Sequence, residues 1–72
     1  MATLTQKFGQ YVSRRRKEKG ISQAELSNKV FNAPNQAYIS ELETGLRENI
    51  NLNTVEKILD ILDTEIKFVN RE

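Results

Sequence analysis

The chain has 72 residues, a formal net charge of +1, no cysteine and no histidine. That length makes one domain with one small core, and the missing residue types exclude disulfides, zinc-finger ligands, Cys nucleophiles and His-based acid–base chemistry. The charge is lopsided: residues 1–40 hold seven bases against two acids, about +5, and residues 41–72 hold four against eight, about −4.

The first helix is expected from Thr3 or Thr5 to about Lys19. Thr3 followed by Gln6 reads as a capping box, and Leu4, Phe8, Tyr11 and Val12 recur at helical spacing. Gly20 stands where a left-handed residue closes a helix, and Gly9 weakens the helix slightly. Ser22 with Glu25 is a second capping box, opening a short helix from Gln23 to Val30. Phe31 to Asn35 contains Pro34 and breaks the pattern, and Asn35 is read as the next N-cap. A third helix runs from Gln36 to a stop at Gly45, with Ile39 and Leu42 inward.

Asn51 is expected to cap a fourth helix from Leu52 to Leu62, whose apolar residues Leu52, Val55, Ile58, Leu59, Ile61 and Leu62 suit burial. From Glu65 to Val69, Ile66 and Phe68 alternate with charges at strand period. A lone strand leaves its backbone unpaired, so this segment must pair with another chain, pack on the helices or stay disordered. The division expected is residues 1–63 as the helical domain and 64–72 as a tail for dimerisation through Ile66 and Phe68. No apolar run approaches a bilayer span, no signal peptide is visible, and the expected location is the cytoplasm.

Two short capped helices between two others describe the surround of a helix-turn-helix. The runs Arg16-Lys17-Glu18-Lys19-Gly20-Ile21-Ser22-Gln23-Ala24-Glu25-Leu26 and Tyr38-Ile39-Ser40-Glu41-Leu42-Glu43-Thr44-Gly45 closely resemble the phage repressor and Cro family, also called Xre, over roughly residues 8 to 62. Between Leu26 and Ile39 the chain looks about two residues longer than the family spacing, the surplus falling in Phe31 to Asn35. The resemblance implies an all-α, four- to five-helix lambda-repressor-like domain, here with a short C-terminal β-strand used in dimerisation. It implies double-stranded DNA as partner and a dimeric regulator, a repressor or autorepressor, on a pseudo-palindromic operator. It implies no enzyme activity, cofactor, metal or small-molecule substrate.

By position, the resemblance implies that Gln23 contacts a phosphate, against the plainer reading of an exposed polar residue in a capping turn. Gln36, Ala37 and Glu41 fall on the outer face of the third helix. Gln36 suits adenine N6 and N7, and Ala37 a thymine methyl. Glu41 either accepts from cytosine N4 or holds a neighbouring cation. Tyr38 either donates to a phosphate or packs at the helix edge. Asn35 and Ser40 are donors to the DNA backbone, with capping the simpler duty of Asn35. Arg47 sits where the family touches the backbone from its following loop, and Arg16 is expected to pair with Glu43 in a partly buried bridge. Arg14, Arg15, Lys17 and Lys19 read as solvated charges supplying field, and Asp60 and Asp63 as surface residues. The rival reading is a HipB-type antitoxin, whose tail this one resembles and which holds a kinase-like toxin.

Overall fold

The helix boundaries follow from local capping. In the computed structural model, which describes residues 3–70, the order is α1 (Leu4–Glu18), α2 (Gln23–Phe31), α3 (Gln36–Thr44) and α4 (Leu52–Ile61). Thr3 Oγ1 accepts from the Gln6 amide at 3.2 Å while Gln6 Oε1 accepts from the Thr3 amide at 2.9 Å. Ser22 and Glu25 repeat the exchange at 3.0 and 3.2 Å. Each box satisfies donors that a helix start would otherwise leave free.

The C-termini close on left-handed residues. Gly20 lies just past α1 at φ 72°, and Gly45 ends α3 at φ 81°. α2 runs one residue further than expected, through Phe31, and Asn32 ends it at φ 55° with its N–H on the Asn28 carbonyl at 2.9 Å. Asp63 takes φ 54° after α4, and Thr64 N–H returns to the Leu59 carbonyl at 2.8 Å. Asn and Asp tolerate this region better than other non-glycine residues.

Val12, Leu26, Ile39, Leu42, Ile58 and Leu62 are fully buried, one or two from every helix or its boundary, and Ile21, Phe8 and Phe31 pack around them. Leu52 corrects the expectation of burial: it is 83% exposed, as is Leu4. Both stand in the first turn of their helices, beyond the edge of the core.

Gly9 has a larger role than that of a weak helix former. A Cβ built there would stand 2.0 Å from the Leu42 carbonyl oxygen and 2.9 Å from its carbon. α1 and α3 therefore cross backbone to backbone at this point.

A different face of α1 holds the end of α4. Tyr11 Oη and Thr64 Oγ1 are 2.8 Å apart, Arg15 Nε donates to the Leu62 carbonyl at 3.0 Å, and Lys19 pairs with Asp63. Arg15, Lys19 and Asp63 are thus not free surface charges. Cations beside the last carbonyls of a helix also meet the negative end of its dipole.

Residues 64–70 form no strand. Among the described residues none pairs with them in a ladder. The proposed tail, 64–72, extends over residues 71 and 72, and the proposed helical domain begins with residues 1 and 2; these four lie outside the described residues. Among the described residues, no helix is long and apolar enough to cross a membrane.

Candidate nucleic-acid interface

α3 presents its outer face because its inner one is fixed. Ile39 and Leu42 are fully buried, whereas Gln36, Ala37 and Glu41 are exposed and Ser40 is half-buried. Behind this face runs a continuous polar chain from the interior to the surface. Arg16 donates from Nε to Glu43 Oε2 at 2.8 Å and from Nη2 to Oε1 at 3.1 Å, while its Nη1 reaches the Ile21 carbonyl at 2.9 Å. The side chains retain only 11% and 5% exposure, so the forked pair is largely shielded from water.

The same Glu43 Oε1 accepts from Gln23 Nε2 at 3.1 Å, and Gln23 Oε1 accepts from Gln36 Nε2 at 3.3 Å. The first residue of α2 thereby links the last turn of α3 to its first. Gln36 uses one amide proton on Gln23 and keeps the other, together with its Oε1. That leaves one donor and one acceptor pointing outward, the pair that a base edge of the adenine type matches.

Asn35 stands at the N-cap position but corrects the capping expectation, since its side chain makes no cap bond there. Its backbone N–H instead donates to Ser27 Oγ at 3.3 Å, and Ser27, fully buried, donates to the Ala24 carbonyl at 2.9 Å. The buried hydroxyl of α2 pins the lengthened turn where it enters α3. The Asn35 side chain is left for solvent or a ligand.

Tyr38, Glu41 and Arg47 form one cluster. The Tyr38 ring meets Phe31 edge-on at 4.8 Å, and the Arg47 guanidinium lies 3.9 Å from the Tyr38 ring centre. Arg47 Nη2 donates to Glu41 Oε1 at 3.1 Å, and its Nε is buried with no partner among the described residues. Of the two roles read for Glu41, the free chain shows the one in which it holds a cation. Tyr38 packs at the helix edge, and Arg47 is already paired and stacked rather than extended. The identity of the cation is what the sequence reading lacks, and the six-residue interval between Glu41 and Arg47 across a terminating glycine is the signal for it.

The basic run of α1 is divided. Arg15 and Lys19 are engaged with the end of α4, Arg14 lies 5.3 Å from the Tyr11 ring centre, and Arg16 is inside. No group of three or more potential metal ligands is assembled among the described residues.

No protein family model and no solved structure matches the chain. Among curated proteins it is similar to the HTH-type transcriptional regulator SinR of Bacillus subtilis (strain 168) and that of Bacillus licheniformis. Identity in each case is 36% over 59 residues, covering 82% of this chain and 51% of the relative. The chain spans about half the length of these curated relatives. Over that stretch the chain is similar to two proteins named HTH-type transcriptional regulators, and it carries four helices in succession.

Proposed function

We propose that the chain is a sequence-specific DNA-binding transcriptional regulator, acting as a repressor or autorepressor on a pseudo-palindromic operator. The observation that carries the reading is the hydrogen-bonded path from Arg16 through Glu43 and Gln23 to Gln36. It holds an amide at the leading end of an exposed helix, in a fixed orientation, from a shielded ion pair. Similarity to regulators named HTH-type supports the same reading.

In this reading α3 enters the major groove with Gln36 and Ala37 toward base edges, and Glu41 further along the same face. Gln23, Asn35, Tyr38, Ser40 and Arg47 lie toward the phosphates. Gln23 begins α2, so its side chain stands beside free backbone N–H groups that favour an anion. Arg47 exchanges the Glu41 carboxylate for a phosphate, a replacement of one oxyanion by another. The partner DNA is read by two copies, with Ile66 and Phe68 at their junction and half-sites about 34–36 Å apart or a multiple of that spacing.

Selection of bound duplexes from a random pool, followed by salt titrations, tests the assignment. Gln36→Ala should relax preference at one position per half-site, at a cost of about 1–3 kcal/mol against the preferred base. Arg47→Ala should weaken all sequences alike and reduce the salt slope by about 1. Equal losses on selected and random DNA for Gln36→Ala would remove that residue from base readout, and no association at low ionic strength would end the regulator reading.

A further inference from the structure

One ion pair lies on the face of α3 that carries the proposed contacts. The left-handed turn at Gly45 brings the amides of Leu46 and Arg47 back onto the Glu41 carbonyl at 2.9 and 3.3 Å. Thr5 Oγ1 ties the next residue to α1 by donating to the Glu48 carbonyl at 3.4 Å. The backbone of Arg47 is therefore held at both ends, and the freedom left is in its side chain. That side chain folds back along the helix, between the Tyr38 ring at 3.9 Å and Glu41 Oε1 at 3.1 Å. Phe31 braces the ring from behind, edge-on at 4.8 Å.

This parked arginine is incompletely satisfied. Its Nε is buried with no partner among the described residues, and Glu41 takes only one of its N–H edges. A phosphate offers two oxygens to a guanidinium and can take Nε as well. Glu41 keeps 49% side-chain exposure and Arg47 32%, so water and salt screen the pair and little is lost in breaking it. The Arg16–Glu43 pair, at 11% and 5%, is the opposite case.

Removal of Arg47 by a phosphate leaves Glu41 as an unpaired anion on the outer face of α3. In the major groove, guanine N7 and O6, adenine N7 and thymine O4 are acceptors and repel a carboxylate. Adenine N6 donates but stands beside N7, whereas cytosine N4 donates with no acceptor of its own base next to it. We infer that Glu41 is an internal competitor for the DNA phosphate and, once displaced, excludes bases other than cytosine at its position. It withholds Arg47 from DNA of every sequence, and the loss is offset only where cytosine N4 takes the place of the guanidinium. This deepens the regulator reading and rests on it: holding a cation and accepting from cytosine are successive states of one residue.

Glu41→Gln keeps the shape and removes the charge. The parent, Glu41→Gln, Arg47→Ala and the variant carrying both are titrated at low salt with a duplex selected by the parent and with a random one. Glu41→Gln should tighten the random duplex about fivefold, the upper end for an exposed pair, and the selected one less, so the ratio of the two affinities narrows. In the Arg47→Ala background the same exchange should tighten the random duplex by less than about twofold, because no arginine remains to be withheld. A pool selected by Glu41→Gln should lose a cytosine preference that the parent shows, at a position distinct from that of Gln36. The parked pose is read without DNA by nuclear magnetic resonance: ring-current shifts of the Arg47 side-chain protons should be present in the parent and reduced in Glu41→Gln. The backbone bonds at Glu41 do not use its carboxylate, so circular dichroism should be unchanged. Equal tightening with and without Arg47 would reveal a general field effect and overturn the competitor role, as would an unchanged affinity for random DNA; both results leave the regulator reading standing. No association of any of the four proteins with either duplex would end the regulator reading and this inference with it, even with the ring shifts present.

Discussion

Replacing Gly9 with alanine is expected to remove most of the stability of this domain. In an isolated helix the change would help, by roughly 0.5–1 kcal/mol, because alanine has less backbone entropy to lose. Here the new Cβ meets the Leu42 carbonyl oxygen at 2.0 Å, and the listener to that clash is backbone, not a side chain that can swing aside. α1 and α3 would have to move apart, lifting Val12 from Ile39 and Leu42 in the shared core. Overpacking typically costs about 1–3 kcal/mol and more where backbone shifts, against the ~3–5 kcal/mol that a core of this size supplies. Each kcal/mol lowers the midpoint of a 60–100-residue domain by about 4–8 °C, so thermal unfolding should show a fall on the order of 10 °C or greater. Gln10→Ala, one residue along at an exposed position, is the control and should be near neutral. A Gly9→Ala protein as stable as its parent would mean that the two helices have room to spare.

The contrast between Gly9 and the capping boxes shows what this sequence makes legible. Thr3 with Gln6 and Ser22 with Glu25 act over three residues, so their bonds are fixed by the helix they begin and can be read from spacing. Gly9 acts on a carbonyl in α3, and nothing local to α1 announces how closely that backbone approaches. Arg15, Lys19 and Asp63 are similar: their partners lie more than forty residues away, at the left-handed end of α4. Leu4 and Leu52 satisfy helical periodicity yet lie outside the core, because periodicity gives a face and not the distance along it. In the candidate site, the outward placement of Gln36, Ala37 and Glu41 followed from the inward placement of Ile39 and Leu42. What did not follow was the use each polar group is put to in the free chain. Asn35 gives its backbone N–H to Ser27 and leaves its side chain without a capping role, and the charge of Arg47 is held by Glu41 and Tyr38, since both are settled by the lengthened turn and the loop after α3.

Arg16→Ala should leave little folded protein, whereas removing both partners of its ion pair should restore the fold and still damage DNA discrimination. Glu43 retains only 5% side-chain exposure, and without the guanidinium its charge is stranded; breaking such a pair typically costs about 3–5 kcal/mol, comparable with the whole stability. Arg16→Met with Glu43→Leu leaves no uncompensated charge, and such exchanges are commonly neutral or better. That variant, however, takes from Gln23 the acceptor at 3.1 Å, and with it the anchor of Gln36. It should melt near the parent and lose preference at the base position assigned to Gln36. The same pair sets an acid limit. Burial pushes the Glu43 carboxyl upward, but hydrogen bonds from Arg16 and Gln23 and the charge of Arg16 outweigh it, and the group ionises below its ordinary value. A depressed folded-state value means that the stabilisation is complete above the unfolded value of about 4.3 and disappears as pH falls through the lower, folded one. Asp63 adds to the same slope through its hydrogen bond from Lys19. Denaturant midpoints measured from neutral pH downward should therefore fall steeply in the parent below about pH 4.3 and less steeply in the double variant, which keeps only the Asp63 contribution. Parallel acid profiles for the two proteins would show that the carboxylate is not held by Arg16 in solution, and the path from that pair to the exposed amide would lose its base.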